Sequence, residues 1–125
     1  MLYPHPSLSP LEVVRIQALA LGDNDTPRPD CGIEVVWRFA SPENKAVTGP
    51  LERFKRMVHN PLYAPMLNHT GADFGDPLVE GTQAQVDVVL QTRRLGPVTY
   101  RFILRRLTSG DAVNCWVTDA VGPLG

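Results

Sequence analysis

The chain has 125 residues, 43% of them hydrophobic and 20% charged, which is typical of one ordinary globular domain and excludes an intrinsically disordered protein. Its 12 basic and 13 acidic residues give a formal net charge of -1, so composition does not favour nucleic acid as a partner. No apolar run approaches the roughly 20 residues that a membrane-spanning helix needs, and the first residues lack a signal-peptide pattern. We therefore expect neither nucleic acid nor a membrane as a partner.

The cysteines and glycines indicate neither a metal nor a cofactor. Cys31 and Cys115 are far apart and have no histidine or further cysteine at ligand spacing, which is unlike a zinc site or a disulfide framework. No glycine-rich turn of the phosphate-binding kind follows a strand and opens a helix. We expect reduced thiols in a cytoplasmic protein, with an organellar location as the alternative if a transit peptide precedes the numbered chain.

One domain, residues 9–125, is predicted to follow a proline-rich N-terminal arm, residues 1–8. Ser9 and Glu12 have the spacing of a capping box, and Pro10 suits the first position of a helix because its missing N–H would be unpaired there anyway. Apolar residues then recur at helical spacing around most of the helix. This first helix is therefore predicted to be largely enclosed.

Two further helices are predicted before the sequence changes period. Asp30 can cap a second helix that ends before Ser41, and Gly49 can cap a third that continues to Val58. The segment 43–48 between them is predicted to be a loop. The first half of the chain therefore contains three predicted helices and almost no strand signal.

From about residue 67, apolar and polar residues alternate with the period of a strand. The alternation predicts a weak strand over 68–75 and stronger strands over 82–93, 98–105 and 113–121, joined by short turns. Helices followed by amphipathic antiparallel strands predict an α+β fold, in which three N-terminal helices pack on a curved antiparallel sheet of about four strands.

Three segments of the chain carry a resemblance to a known family: SPLEVVRIQALALGDND, GIEVVWRFASPENKAVTGPLERFKRMV and YAPMLNH. They resemble an uncharacterised domain family within the nuclear transport factor 2-like (cystatin-like) superfamily, and the match covers almost the whole chain from Ser9 onwards. The resemblance implies a cone of sheet and helices around a pocket, and pairing of two copies through the sheet. It supplies no activity and no catalytic residues.

Asp119 is the first of three candidate catalytic residues. Strand parity places it with Val113, Cys115 and Val117 on the face predicted to form the core, where desolvation would raise its pKa and suit it to act as a general base. The alternative is that the strand frays before Asp119, which would leave the carboxylate in water.

His69 and Asp73 are the other two candidates, because they share a face of the weak first strand. A histidine and a carboxylate together can activate a water molecule. Four residues of strand would hold them too far apart for direct contact, so the pair requires a bulge at Gly71 or another partner. Structural roles near a turn are the alternative for both residues.

Aromatic side chains could form the walls of an apolar ligand pocket. The predicted pocket residues are Trp37, Tyr63, Tyr100 and Asp119. Aromatic residues at helical or strand spacing also fill the cores of small domains, so core packing is the competing interpretation. Tyr63 stands apart because it lies on the turn between Pro61 and Pro65 and needs a polar partner for its hydroxyl.

The second face of the sheet is predicted to be an interface. Arg101, Ile103 and Trp116 fall on it, and the helices of so short a domain cannot cover both faces. We therefore expect a homodimer with a contact centred on Trp116.

The sequence leaves several functions open. The first is a dimeric module that binds a small apolar ligand or a protein partner in or near its pocket. The second is a cofactor-independent isomerase, dehydratase or hydrolase that uses acid and base groups in that pocket. The third is an interaction adaptor without a cavity.

Overall fold

The computed structural model describes residues 3–124, in which helices precede an open antiparallel sheet. The described helices are α1 (Pro10–Gly22), α2 (Cys31–Phe39), α3 (Pro42–Thr48) and α4 (Leu51–Val58), followed by a one-turn 3₁₀ helix (Ala64–Met66). The strands are β1 (Ala72–Phe74), β2 (Leu78–Glu80), β3 (Gln83–Thr92), β4 (Gly96–Arg106) and β5 (Trp116–Pro123). The predicted α+β class is confirmed. The first two residues of the predicted arm and the last residue of the chain lie outside the described part.

The start of α1 agrees with the predicted capping box. The backbone N–H of Glu12 donates to Ser9 Oγ at 3.1 Å, and the backbone N–H of Ser9 donates to Glu12 Oε1 at 2.9 Å. Pro10 occupies the first helical position. Two of the N–H groups that the helix end leaves unpaired are therefore satisfied by local side chains.

A fourth helix, α3, forms where a loop was predicted. Ser41 caps it, because Ser41 Oγ accepts a hydrogen bond from the backbone N–H of Asn44 at 3.1 Å, and Pro42 takes the first helical position. The Ser-Pro pair was interpreted as the end of α2, and the same pair begins α3. The prediction that Gly49 caps the next helix is also wrong. Gly49 ends α3 by donating its N–H to Lys45 O at 2.8 Å, and Pro50 occupies the cap position of α4.

Asp30 precedes α2 as predicted, but its side chain makes no capping hydrogen bond. The cap comes from Asn24 in the preceding loop, whose Oδ1 accepts from the backbone N–H of Ile33 at 2.9 Å. Asn24 is fully buried, and its amide nitrogen donates to the carboxylates of Asp25 and Asp30. A residue outside the helix therefore satisfies an N–H of its first turn.

The sheet is built around β3 and β4, which pair along their whole lengths. β1 and β2 both pair with the other edge of β3, and β5 pairs with β4. Alternate side chains of β3 and β4 point towards the helices and are buried: Ala84, Val86, Val88, Leu90, Tyr100, Phe102 and Leu104. The core lies between this face of the sheet and the helices α1, α2 and α4. Among the described residues, no helix has both the length and the apolar character to cross a bilayer.

A β-bulge in β5 changes which side chains face the core. Leu104 pairs with Thr118 and Ile103 pairs with Ala120, so Asp119 is an extra residue between two ladder positions. Before the bulge, the residue that faces the core is Thr118. After the bulge it is Val121, which pairs with buried Phe102. The prediction that Asp119 shares one uninterrupted core face is therefore wrong, because a bulge inverts strand parity without any mark in the alternation.

Candidate ligand pocket

A cavity of about 460 Å³ lies between α2, α4 and the β4–β5 end of the sheet. Its inner wall is apolar and buried, and consists of Leu21, Ile33, Phe54, Val58, Met66 and Phe102. Val36, Met57 and Val121 continue this surface towards the outside. The volume falls within the roughly 300–1,000 Å³ of small-molecule sites, which are also mostly apolar.

The rim of the pocket is formed by α3, the helix that the sequence did not predict. Thr118 O holds this helix at the edge of the sheet, because it accepts hydrogen bonds from Ser41 N at 2.8 Å and from Asn44 Nδ2 at 3.1 Å. Val47, on the same helix, lines the pocket and is 71% exposed. The cavity therefore opens to solvent beside α3.

Arg105 forms an ion-pair network with Asp119 and Glu43 at the pocket. Arg105 Nε and Nη2 donate to the two carboxylate oxygens of Asp119, both at 3.0 Å, and Nη1 donates to Glu43 Oε2 at 3.1 Å. The Asp119 carboxylate holds the pKa of Arg105 above its usual value. Asp119 lines the pocket, and both of its oxygens accept hydrogen bonds from the Arg105 guanidinium. The side chain is therefore engaged by Arg105 and is not the unpartnered carboxylate that the general-base prediction described.

Tyr63 lies at the pocket, and Trp37 and Tyr100 lie outside its lining. The Tyr63 hydroxyl donates to Val121 O at 3.1 Å, so it ties the 3₁₀ segment to β5. Tyr100 is fully buried and donates to Leu62 O at 2.9 Å, and burial raises its pKa. Trp37 packs its ring against Phe54 with centroids 5.2 Å apart. Of the aromatic residues predicted for the pocket, only Tyr63 contributes to its wall.

His69 and Asp73 lie away from the pocket. His69 is buried beside α1, where its Nε2 donates to Ala18 O at 2.7 Å. Its Nδ1 has no hydrogen-bond partner among the described residues. Asp73 is exposed on β1, opposite Val89. The three candidate catalytic residues therefore do not converge on one cavity.

The predicted interface residues divide between the two faces of the sheet. Trp116 is only 8% exposed and belongs to the core cluster, so the expectation of an exposed patch centred on it is wrong. Its side chain lies on the helix side because the bulge at Asp119 inverts the parity of β5. Ile103 and Arg101 face outward and are half-buried, and Arg101 binds Asp87 through two hydrogen bonds of 2.8 and 3.0 Å.

Two polar residues near the pocket were missed by sequence reasoning. Gln17 of α1 is fully buried, and its Nε2 donates to Thr118 Oγ1 at 2.8 Å. Its position between apolar neighbours was the available signal. Glu43 reaches Arg105 across 62 residues of sequence, and no local pattern could have indicated that contact.

The described residues show neither a metal cluster nor a disulfide. No three histidine, cysteine, aspartate or glutamate side chains within 3–124 lie together as a metal-binding group. Both thiols are free, and burial raises the pKa of Cys115. No family model, curated protein or solved structure matches the chain.

Proposed function

We propose that the protein binds a small apolar ligand in the pocket between α2, α4 and the end of the sheet. The observation that carries this proposal is the cavity itself, about 460 Å³ in volume with a predominantly apolar wall. Apolar surface exposed in a concave site gains free energy when a ligand displaces its water. The cavity is bounded by helices on two sides and by the sheet on a third, which favours a small molecule over a protein partner.

The hydroxyl and amide donors of the pocket are engaged by the protein, so apolar contact with the wall dominates ligand binding. The hydroxyls of Tyr63 and Thr48 donate to Val121 O and Asn44 O, respectively. The amide of Asn44 donates to Thr118 O. A ligand therefore meets few unpaired donors on the pocket wall, and hydrophobic contact supplies most of its binding free energy.

A cofactor-independent isomerase, dehydratase or hydrolase has weaker support. Such an enzyme needs an acid and a base within hydrogen-bonding reach of one substrate. Asp119 is bound by Arg105, and His69 and Asp73 lie outside the pocket. The geometry thus favours binding over acid–base catalysis.

Membership of the nuclear transport factor 2-like superfamily is part of the same proposal. Its support is the order of elements, with helices preceding an antiparallel sheet, and the position of the pocket between them. The free thiols support a reducing compartment such as the cytoplasm.

Isothermal titration with 1-octanol tests the binding proposal. Val36 lines the pocket, so Val36→Trp should occupy part of the cavity and weaken the binding that the wild type shows. Val98 is the matched control, because it is also a half-buried valine packed against the core but lies outside the pocket lining. Val98→Trp should keep the wild-type affinity, with urea unfolding confirming that both variants fold. Equal binding by Val36→Trp and the wild type would overturn the proposal.

A homodimer through the outward face of the sheet completes the proposal. Val89 and Ile103 lie half-buried on this face, beside the Asp87–Arg101 ion pair. The helices cover only the opposite face, because side-chain alternation directs the apolar rows of β3 and β4 towards them. Sedimentation at micromolar concentration should show a dimer, and Ile103→Glu should give a monomer. A wild-type monomer would contradict this part of the proposal.

A further inference from the structure

We infer that the pocket selects ligands in which an apolar body carries a cationic amine, over neutral ligands and most strongly over carboxylates. This inference rests on the proposed ligand binding and names the chemical class of the ligand. It follows from the charge and the hydrogen-bonding groups at one end of an otherwise apolar cavity.

The charged residues of the lining are Glu43, Arg105 and Asp119. Two carboxylates and one guanidinium give this end of the pocket a net negative charge. Arg105 is enclosed by both carboxylates, at 3.0 Å from Asp119 and 3.1 Å from Glu43. Its positive charge is therefore more than neutralised before any ligand arrives, and an added carboxylate would be repelled.

Acceptors outnumber donors at the same place. Three of the five N–H donors that a guanidinium carries are already bound to carboxylate oxygens. Glu43 contacts Arg105 through Oε2, and within residues 3–124 no donor is bonded to its Oε1. Its side chain is 63% exposed, so the carboxylate can turn towards a ligand at low cost. An ammonium group supplies the donors and the charge that this end lacks.

Two cationic side chains on and beside α3 do not reverse this balance. Lys45 Nζ lies 5.5 Å from the centre of the Trp37 ring, and Arg53 Nη1 donates to Val47 O at 3.0 Å. Neither side chain lines the pocket.

A matched series of octylamine, 1-octanol and sodium octanoate isolates the head group while the apolar tail stays constant. Titration at neutral pH, low ionic strength and concentrations below micelle formation should give the order amine, alcohol, carboxylate, from tightest to weakest. Partly exposed charge contacts change affinity by up to about fivefold each, so attraction and repulsion together should separate amine and carboxylate by about tenfold. The separation should shrink in 1 M salt, where the Debye length is about 3 Å.

Glu43→Gln identifies the group responsible. The variant should lower the ratio of octylamine affinity to octanoate affinity by several-fold. Glu80→Gln, at an exposed glutamate outside the pocket, should retain the wild-type preference. If 1-octanol binds in the pocket while octanoate equals or exceeds octylamine, the charge inference is overturned and the binding proposal stands. If no member of the series binds, both are overturned.

Discussion

Thr118→Val tests whether the buried contact between α1 and β5 holds the helix layer on the sheet. Gln17 is 0% exposed and Thr118 is 2% exposed. The Thr118 hydroxyl is within 2.8 Å of Gln17 Nε2 and 3.2 Å of Gln17 Oε1. Valine keeps the shape of threonine but leaves the amide of Gln17 with only a 3.3 Å hydrogen bond to Val13 O. A buried polar group left without its partner costs about 1–3 kcal/mol.

Urea unfolding of a double-mutant cycle measures this contact. Gln17→Leu should destabilise the protein by a similar amount, because it leaves the buried Thr118 hydroxyl without its side-chain partner. The double variant should be about 1–2 kcal/mol more stable than the sum of the single effects predicts, because neither polar group then remains. Thr99→Val, on the outward half-exposed face of β4, should stay within about 0.5 kcal/mol of the wild type. Strict additivity of the two single variants would refute the reasoning.

Two further predictions concern packing and acid stability. A Cβ at Gly32 would overlap the backbone of α1 and of the loop after it, whereas a Cβ at Gly122 would meet no atom within 4 Å. Gly32→Ala should therefore lower the free energy of unfolding by at least about 1–3 kcal/mol, and Gly122→Ala should not lower it. Hydrogen bonds from Arg28 and Lys55 lower the pKa of Glu34 to about 2 from its ordinary 4.5, so its stabilising effect should be present above pH 4.5 and decline as the pH falls towards 2. The stability difference between the wild type and Glu34→Gln should therefore narrow over that interval in acid unfolding, and a constant difference would contradict the assignment.

The architecture was predictable from the sequence because its signals are local. The Ser9–Glu12 capping box lies within one turn of chain and correctly marks the start of α1. The alternation over 82–93 and 98–105 correctly predicts β3 and β4, since both strands pair without interruption. These elements depend on neighbouring residues, which a single sequence displays directly.

The pocket was less predictable because its parts meet through long-range contacts. The bulge at Asp119 inverts the parity of β5. Trp116 therefore lies in the core, and Asp119 accepts a hydrogen bond from an arginine. The rim helix α3 depends on Thr118 O, which lies 77 positions after Ser41 in the chain and accepts a hydrogen bond from its N–H. Pro61 and Pro65 confine the turn that carries Tyr63, and this residue lies at the wall of the cavity.

Chemical-shift mapping with 1-octanol tests the central claim, that the cavity is a ligand site, most directly. Methyl resonances of Ile33, Val36 and Val121, which line the pocket, should shift together as one saturable process. Those of Leu67 and Leu95, in a separate surface groove, should remain unchanged. Saturable shifts confined to the lining residues would support the account. Shifts centred on the groove, or an absence of saturable shifts at the lining residues, would contradict it.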